Sequence, residues 1–134
     1  MKAAFFDLDL TLLDSAADIH AAGNAVLALE GLPPVTLEQS RSFVGNGAGV
    51  YIQRLIAACG LPADPVLEAR MYQRFLEGYE TAVGLTTLYP GVEKALRDLQ
   101  ADGWVLAICT NKPVAPARAV LAHFGLLDLF AVIY

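Results

Sequence analysis

Two carboxylates and a hydroxyl lie close together near the start of the chain, at Asp7, Asp9 and Thr11. An apolar run over residues 3–6 precedes them and predicts a strand that is buried on both faces, as in a parallel sheet. Ligands of parallel α/β sheets gather where the strands end, so Asp7 is the leading candidate for a catalytic group. No Lys or Arg separates the two acids, and a cation or a polar ligand would relieve their repulsion.

The same stretch also fits a second interpretation. Apolar and polar residues alternate from Phe6 to Leu12, which is the pattern of a half-exposed strand. Aspartate is depleted in strands, however, and two acids on one face destabilise a sheet. We therefore favour a functional role for the two acids.

These residue types suit phosphoryl transfer. A carboxylate can attack phosphorus and form an aspartyl-phosphate, and a second acid can protonate the leaving oxygen and later deprotonate water. Two anions facing an anionic substrate need a cation, and Mg²⁺ prefers carboxylate, carbonyl and water ligands. The pattern thus predicts Asp7 as nucleophile, Asp9 as general acid/base, and Mg²⁺ as cofactor.

A second candidate site is Thr110-Asn111, which follows an apolar strand predicted over residues 104–109 and precedes a predicted helix. A hydroxyl, an amide and the free N–H groups at a helix start can bind a phosphoryl group. Either residue could instead only cap the helix. The nearby strand end with Asp7 and Asp9 favours phosphate binding. Lys112 could approach a phosphate, although a solvated lysine at the start of that helix is the commoner case.

A third candidate is the glycine-rich loop around Gly45, Asn46 and Gly47. It matches neither a P-loop nor the G-x-G-x-x-G pattern. It could be a hinge or a loop that contacts the substrate, although an ordinary loop between helices is the commoner case.

Composition limits the class of protein. The 134 residues are 56% hydrophobic and 17% charged, which indicates a globular chain, and the net charge of −5 gives no basic patch for nucleic acid. No apolar run is long enough to span a bilayer, so no membrane partner is expected. Two scattered cysteines predict neither a disulfide framework nor a zinc site, and we expect a cytoplasmic protein.

The order of the predicted elements indicates an α/β fold. A strand, four helices, a helix, a strand, a helix and a third strand form a parallel unit that is interrupted after its first strand. We therefore expect a partial α/β core at 1–14 and 85–134, with a helical insertion at 15–84. About three strands make a small parallel sheet, so the polypeptide looks incomplete.

The motifs resemble those of the haloacid dehalogenase-like hydrolases. Residues 7–11, Asp-Leu-Asp-Leu-Thr, are similar to the first motif of that family, and residues 109–113, Cys-Thr-Asn-Lys-Pro, to the segment around its second. The insertion is similar to the family's type-1 helical cap. The resemblance implies a three-layer parallel-sheet core, Asp7 as nucleophile and Mg²⁺ ligand, and Thr110 as phosphoryl-binding residue. It also implies that Asp9 is the acid/base and binds the metal through its backbone carbonyl.

Within that family, three short segments look most like those of bacterial phosphatases of 2-phosphoglycolate. They are residues 43–47, 88–91 and 110–113. The implied substrate is a small phosphorylated metabolite. A phosphonatase or a sugar-phosphate mutase of the same superfamily stays open. Leu10 stands where such phosphatases usually have glycine, and it would strain the loop if the backbone there needs a positive φ.

The resemblance also places a third-motif lysine, fourth-motif acids and two further strands beyond Tyr134. We therefore expect a C-terminally truncated, nearly inactive chain whose first strand lies at an apolar edge of the sheet. Such an edge could pair with a second copy, as a homodimer or a domain swap, and a non-catalytic, self-associating fragment is the competing class.

Overall fold

A computed structural model describes residues 2–79 and 84–133, which form five strands, six α-helices and one 3-10 helix. In chain order the elements are β1 (Lys2–Phe6), β2 (Leu13–Asp14), α1 (Ala16–Leu29), α2 (Leu37–Phe43), α3 (Ala48–Ala58), α4 (Pro65–Tyr79), β3 (Thr87–Leu88), α5 (Val92–Ala101), β4 (Trp104–Ile108), α6 (Val114–His123), the 3-10 helix Leu127–Leu129 and β5 (Phe130–Ile133).

The main sheet has three parallel strands in the order β1-β4-β5. Lys2 lies opposite Trp104 and Phe6 lies opposite Ile108, so the carboxyl ends of β1 and β4 reach the same edge of the sheet. The helices α5 and α6 precede and follow β4 along the chain, as connections between parallel strands require. The predicted α/β fold with a parallel sheet of three strands is confirmed.

The prediction that the first strand is buried on both faces is wrong. Only Ala4 and Phe6 of β1 are half-buried, and the Phe5 side chain is 65% exposed. The cause is the strand order, because β1 lies at the edge of the sheet formed by the described residues. An apolar run specifies a strand, but burial on both faces also depends on segments that pack against it.

A tight turn connects β1 to the first helix. The N–H groups of Leu12 and Leu13 donate to the Leu8 carbonyl at 3.0 and 3.1 Å, and the Leu10 N–H donates to Leu13 O at 2.7 Å. Leu10 has a φ of +63°, the left-handed conformation that favours glycine. The strain expected from a leucine at this position is therefore built into the turn.

After the turn, β2 pairs with β3 in a short antiparallel ladder, in which Leu13 lies opposite Leu88 and Asp14 lies opposite Thr87. The pair joins the two chain segments that connect the sheet to helices α1–α4. Strands of two residues are too short to show a periodic pattern, so the sequence does not predict them.

Apolar side chains form two separate clusters. The first surrounds the sheet and includes Leu8, Leu96, Leu106 and Leu121. The second lies among α1–α4, and its buried members are Ile19, Val26, Leu27, Val35, Tyr51, Ile52, Leu55, Ile56, Met71, Phe75 and Tyr79. We keep the division into a core and an inserted helical cap as a proposal, which the two clusters support.

Local signals define several helix ends. The spacing of Thr36 and Gln39 in the sequence predicts a capping box. It forms, because Thr36 Oγ1 accepts from Gln39 N at 3.1 Å and Gln39 Oε1 accepts from Thr36 N at 2.9 Å. Asp64 Oδ1 accepts from the first N–H groups of α4. The sequence predicts that α4 runs to about residue 83, and that position lies outside the described residues. No helix within the described ranges has the length and apolar character needed to cross a membrane.

The buried carboxylate of Asp18 links the two chain segments that connect the sheet to the helices α1–α4. Asp18, 4% exposed in the first turn of α1, accepts from the Thr86 hydroxyl at 2.6 Å and from Leu85 N at 3.0 and 3.2 Å. Thr86 is itself buried. The bonds therefore link the start of α1 to the segment that leads back to the sheet.

Substitutions at Leu10 test the strain in the turn. The left-handed backbone penalises every side chain with a Cβ, so Leu10→Gly should be more stable than Leu10→Ala by about 1 kcal/mol. Both variants lose the same apolar contacts, and the comparison isolates the backbone. Urea unfolding measures the difference, and an alanine variant as stable as the glycine variant would show that the turn is relaxed.

Asp18→Ala tests the link between the connecting segments. The change leaves the buried Thr86 hydroxyl and the Leu85 N–H without their acceptor, so the free energy of unfolding should fall by about 2 kcal/mol. Asp98→Ala is the matched control, because Asp98 only pairs with Lys94 on the exposed face of α5 and should change stability by about 0.5 kcal/mol or less. Equal losses in the two variants would contradict a special role for Asp18.

Candidate active site

A cavity that opens to solvent lies between the carboxyl edge of the sheet and the helices α1–α4. Its polar wall comes from the loops after β1 and β4, and consists of Asp7, Asp9, Thr110, Asn111, Lys112 and Pro113. The opposite wall comes from the helical cluster and the glycine-rich loop, and consists of Ile19, Val44, Gly45, Gly47, Ala48, Tyr51, Phe75 and Tyr79.

Asp7 and Thr110 reach this cavity because their strands are paired. The ladder continues past Phe6 and Ile108, where Cys109 N donates to Phe6 O at 2.8 Å, so the two loops leave the sheet side by side. Asp7 is exposed, and its Oδ1 accepts from Leu8 N at 2.7 Å. This arrangement presents a carboxylate next to a hydroxyl, as a nucleophile and a phosphoryl-binding group would require.

Asp9 lies deeper in the site. Its Oδ1 accepts from the Ser15 hydroxyl at 2.6 Å, and both of its carboxylate oxygens lie 3.3 Å from Lys112 Nζ. Ser15 is 1% exposed and precedes α1, yet its side chain makes no capping bond. The Ser15 hydroxyl therefore binds the candidate acid/base and not the backbone of α1.

Lys112 is buried, so the expectation of a solvated lysine is wrong. Its side chain is 3% exposed, and Nζ contacts the Tyr79 hydroxyl and lies 3.8 Å from the centroid of that ring. The Thr110 hydroxyl accepts from Lys112 N at 3.1 Å and fixes the loop that turns the side chain inward. Burial lowers the pKa of Lys112, and the Asp9 carboxylate opposes that shift.

Three stacked rings form the wall opposite the acids. Tyr51 and Phe75, and then Phe75 and Tyr79, have centroids 5.3 Å apart and nearly parallel planes. Burial raises the pKa of both tyrosines; the Asp9 charge raises that of Tyr79 further, whereas the hydrogen bond with Ser40 opposes the shift at Tyr51. This wall is apolar and uncharged at neutral pH.

The glycine-rich loop contacts the second motif. Asn111 Nδ2 donates to Gly45 O at 3.2 Å, and a Cβ on Gly47 would lie 3.6 Å from Asn111 O. Gly47 has a φ of +90° and precedes α3. Asn46 is not among the residues that line the cavity, and its Oδ1 accepts from Arg54 Nη2 at 3.0 Å. Gly45 and Gly47 therefore line the cavity, whereas the Asn46 side chain binds Arg54 outside the cavity lining.

The acids fit a partial magnesium site. Carboxylate oxygens are the donors that Mg²⁺ prefers, and the ion commonly uses one or two protein carboxylates together with water and substrate oxygens. Asp7 presents an exposed carboxylate, and Asp9 lies two residues further along the same loop. Within residues 2–79 and 84–133, no group of three or more His, Cys, Asp or Glu side chains could form a complete metal site.

Comparison with known proteins identifies the class. The family model of the haloacid dehalogenase-like hydrolases matches residues 1–134, and the chain belongs to that family. A phosphoglycolate phosphatase of Cereibacter sphaeroides strain ATCC 17025 is 49% identical over 134 residues, covering 99% of this chain and 62% of the relative. A phosphoglycolate phosphatase of Rhodobacter capsulatus is 46% identical over 132 residues, covering 98% and 60%.

Solved structures share the fold. The crystal structure of a predicted phosphoglycolate phosphatase from Haemophilus somnus 129PT superposes with a TM-score of 0.90 at 30% identity, covering 99% of this chain and 61% of that one. CbbY from Rhodobacter sphaeroides, solved in complex with phosphate, has a TM-score of 0.82 at 24% identity, with 99% and 62% covered. The chain thus spans about three fifths of the length of these relatives.

The sequence indicates neither Ser15 nor Tyr79 as a site residue, and for Lys112 it indicates only that the side chain could approach a phosphate. The helical spacing of Met71, Phe75 and Tyr79 predicts an apolar helical core, and all three side chains are buried in the cluster among α1–α4. The Tyr79 hydroxyl also contacts Lys112, and no pattern of neighbouring residues in the sequence predicts a contact between positions so far apart. For Lys112, the one available signal was its position directly after Thr110-Asn111.

Proposed function

We propose that this chain carries the nucleophile and the general acid/base of a Mg²⁺-dependent phosphomonoester hydrolase that acts on 2-phosphoglycolate. The observation that carries the proposal is the placement of Asp7, Asp9 and Thr110 on one wall of one cavity, at the carboxyl ends of paired parallel strands. Ligand sites of parallel α/β sheets lie at that edge.

In the first step, a carboxylate oxygen of Asp7 attacks phosphorus while the bond between phosphorus and the leaving oxygen breaks. Asp9, in its protonated form, gives a proton to that oxygen, and an alcohol leaves. The products are an aspartyl-phosphate on Asp7 and a carboxylate on Asp9. The exposed position of Asp7 leaves it open to the substrate, whereas the half-buried Asp9 is held by the hydrogen bond from the Ser15 hydroxyl.

In the second step, Asp9 takes a proton from water, and the oxygen of that water attacks the phosphorus of the aspartyl-phosphate. The bond to Asp7 breaks, inorganic phosphate leaves, and both side chains return to their starting forms. The Thr110 hydroxyl and the Asn111 amide, which line the same cavity, would bind the phosphoryl oxygens. Asp7 and Asp9 would hold Mg²⁺, which when bound neutralises charge on the transferring group.

The similarity to phosphoglycolate phosphatases at 49% and 46% identity supports the substrate. A phosphonatase or a sugar-phosphate mutase of the same superfamily is the alternative, and profiling with phosphonates and hexose phosphates separates these activities. Since the chain spans about three fifths of its relatives, we expect low turnover by these 134 residues.

Asp7→Asn tests the nucleophile. The amide cannot attack phosphorus, so Mg²⁺-dependent release of phosphate from 2-phosphoglycolate should fall by about 10³-fold or to background. Beryllofluoride, which mimics a phosphoryl group on aspartate, gives a readout that does not need turnover. Its bound fluorine signals should appear with Mg²⁺ in the native chain and in Asp9→Asn, and be absent in Asp7→Asn.

Asp14→Asn is the matched control, because Asp14 lies in the same segment but outside the cavity lining and pairs with Arg41 at 3.8 Å on the surface. It should behave like the native chain in both assays. Phosphate release or beryllofluoride binding by Asp7→Asn at the native level would refute the assignment of the nucleophile.

A second proposal, self-association through the edge of the sheet, is favoured by one observation. Within the described residues β1 pairs only with β4, and Phe5 is 65% exposed on this strand. Unpaired, apolar edges of this kind can pair with a second copy.

Light scattering after size exclusion tests the second proposal. Phe5→Glu should shift a dimer of the native chain towards monomer, because a buried carboxylate would oppose edge pairing. Val66→Glu is the control, since Val66 is 72% exposed on α4, away from the sheet, and should leave the mass unchanged. A native chain that is monomeric at high concentration would exclude the proposal.

A further inference from the structure

We propose that Lys112 is a specificity-determining residue that binds a carboxylate carried by the substrate next to its phosphoester oxygen. The inference rests on the proposed phosphatase function and adds to it, since it names the residue that would select an acidic phosphoester over a neutral one. It follows from the charge of the cavity, from the reach of one side chain and from burial.

The first observation concerns charge. Among the described residues that line the cavity, Asp7 and Asp9 are acidic, and Lys112 is the one side chain with a positive charge. The opposite wall of stacked rings offers no cation to a ligand. A substrate with a second anionic group, placed away from the metal, would therefore find Lys112 as its counter-charge.

The second observation concerns reach. In the proposed mechanism Asp9 lies beside the leaving oxygen, and Lys112 Nζ is 3.3 Å from both Asp9 carboxylate oxygens. In a phosphorylated 2-hydroxy acid the carboxyl carbon is two covalent bonds from that same leaving oxygen. A carboxylate so close to Asp9 comes within hydrogen-bond distance of Nζ, whereas the phosphoryl group is directed towards Asp7 and Thr110.

The third observation concerns burial. The Lys112 side chain is 3% exposed and its Nζ lies 3.8 Å from the centroid of the Tyr79 ring, so the ammonium group is held in one place. A charge-assisted hydrogen bond in such surroundings is stronger than one in water. When Asp9 turns to the leaving oxygen, Lys112 loses its anionic partner, and the substrate carboxylate can replace it.

The experiment measures how strongly the chain prefers an acidic ester. Titration calorimetry with Mg²⁺ compares 2-phosphoglycolate with ethyl phosphate, which has the same leaving oxygen and no carboxylate. The native chain should bind 2-phosphoglycolate about tenfold more tightly or better, as one hydrogen bond between charged groups provides. Lys112→Met should bring the ratio of the two affinities close to one.

Three further variants complete the test. Lys112→Arg keeps the charge and should retain part of the preference, and Lys112→Gln removes the charge but keeps a donor should the methionine variant fail to fold. Lys94→Met removes an equal charge from the exposed face of α5 and should leave the ratio at its native value. Circular dichroism confirms folding of each variant.

Two outcomes would overturn the inference while the phosphatase proposal stands. One is a native chain that binds the two esters equally, and the other is an unchanged preference in both Lys112→Met and Lys112→Gln. A native chain that binds neither ester, with no beryllofluoride signal, would overturn the phosphatase proposal as well. The two failures are therefore distinguishable.

Discussion

The buried contact between Asp9 and Lys112 is the interaction on which the candidate site depends. It joins the loop after β1 to the loop after β4, and through the Tyr79 ring it joins both to the end of α4. Removing one member of a buried pair leaves the other charge uncompensated, which is strongly destabilising, although the pair itself adds little net stability. The contact therefore fixes where three segments meet, and it holds the acid/base of the proposed reaction between a cation and the Ser15 hydroxyl.

Backbone pairing makes that contact possible. Because β1 and β4 run parallel and in register up to Phe6 and Ile108, the two loops leave the sheet at the same edge. The strained turn at Leu10 then reverses the chain into β2, and the bonds from Asp18 to Leu85 and Thr86 return it from the helices to the sheet. The register between β1 and β4 determines where the two loops lie, and the buried hydrogen bonds of Asp18 hold the helices α1–α4 over them.

Local chemistry was enough to predict much of this arrangement. Asp7, Asp9, Thr110 and Asn111 stand out by residue type and by their position after apolar runs, and the capping box at Thr36 follows from spacing that a single helix turn satisfies. Other features depend on distant segments. Burial of Lys112 needs the Tyr79 ring and the Asp9 carboxylate, and the exposure of Phe5 reflects strand order, which an apolar run does not encode. The strands β2 and β3 are two residues long, too short for any periodic signal.

The distribution of charge in the cavity would favour acidic over neutral phosphoesters in a second way, through the state of Asp9. Mg²⁺ would neutralise the phosphoryl end of a substrate at Asp7, and Lys112 would neutralise the other end. A neutral ester brings no partner for Lys112, which then keeps its contacts with both Asp9 oxygens. A carboxylate engaged in that way accepts hydrogen bonds and does not donate one to the leaving oxygen. The carboxylate of an acidic ester would thus bind Lys112 and at the same time free Asp9 from its contact with that lysine. The preference for acidic over neutral esters would therefore affect the rate of the chemical step as well as binding.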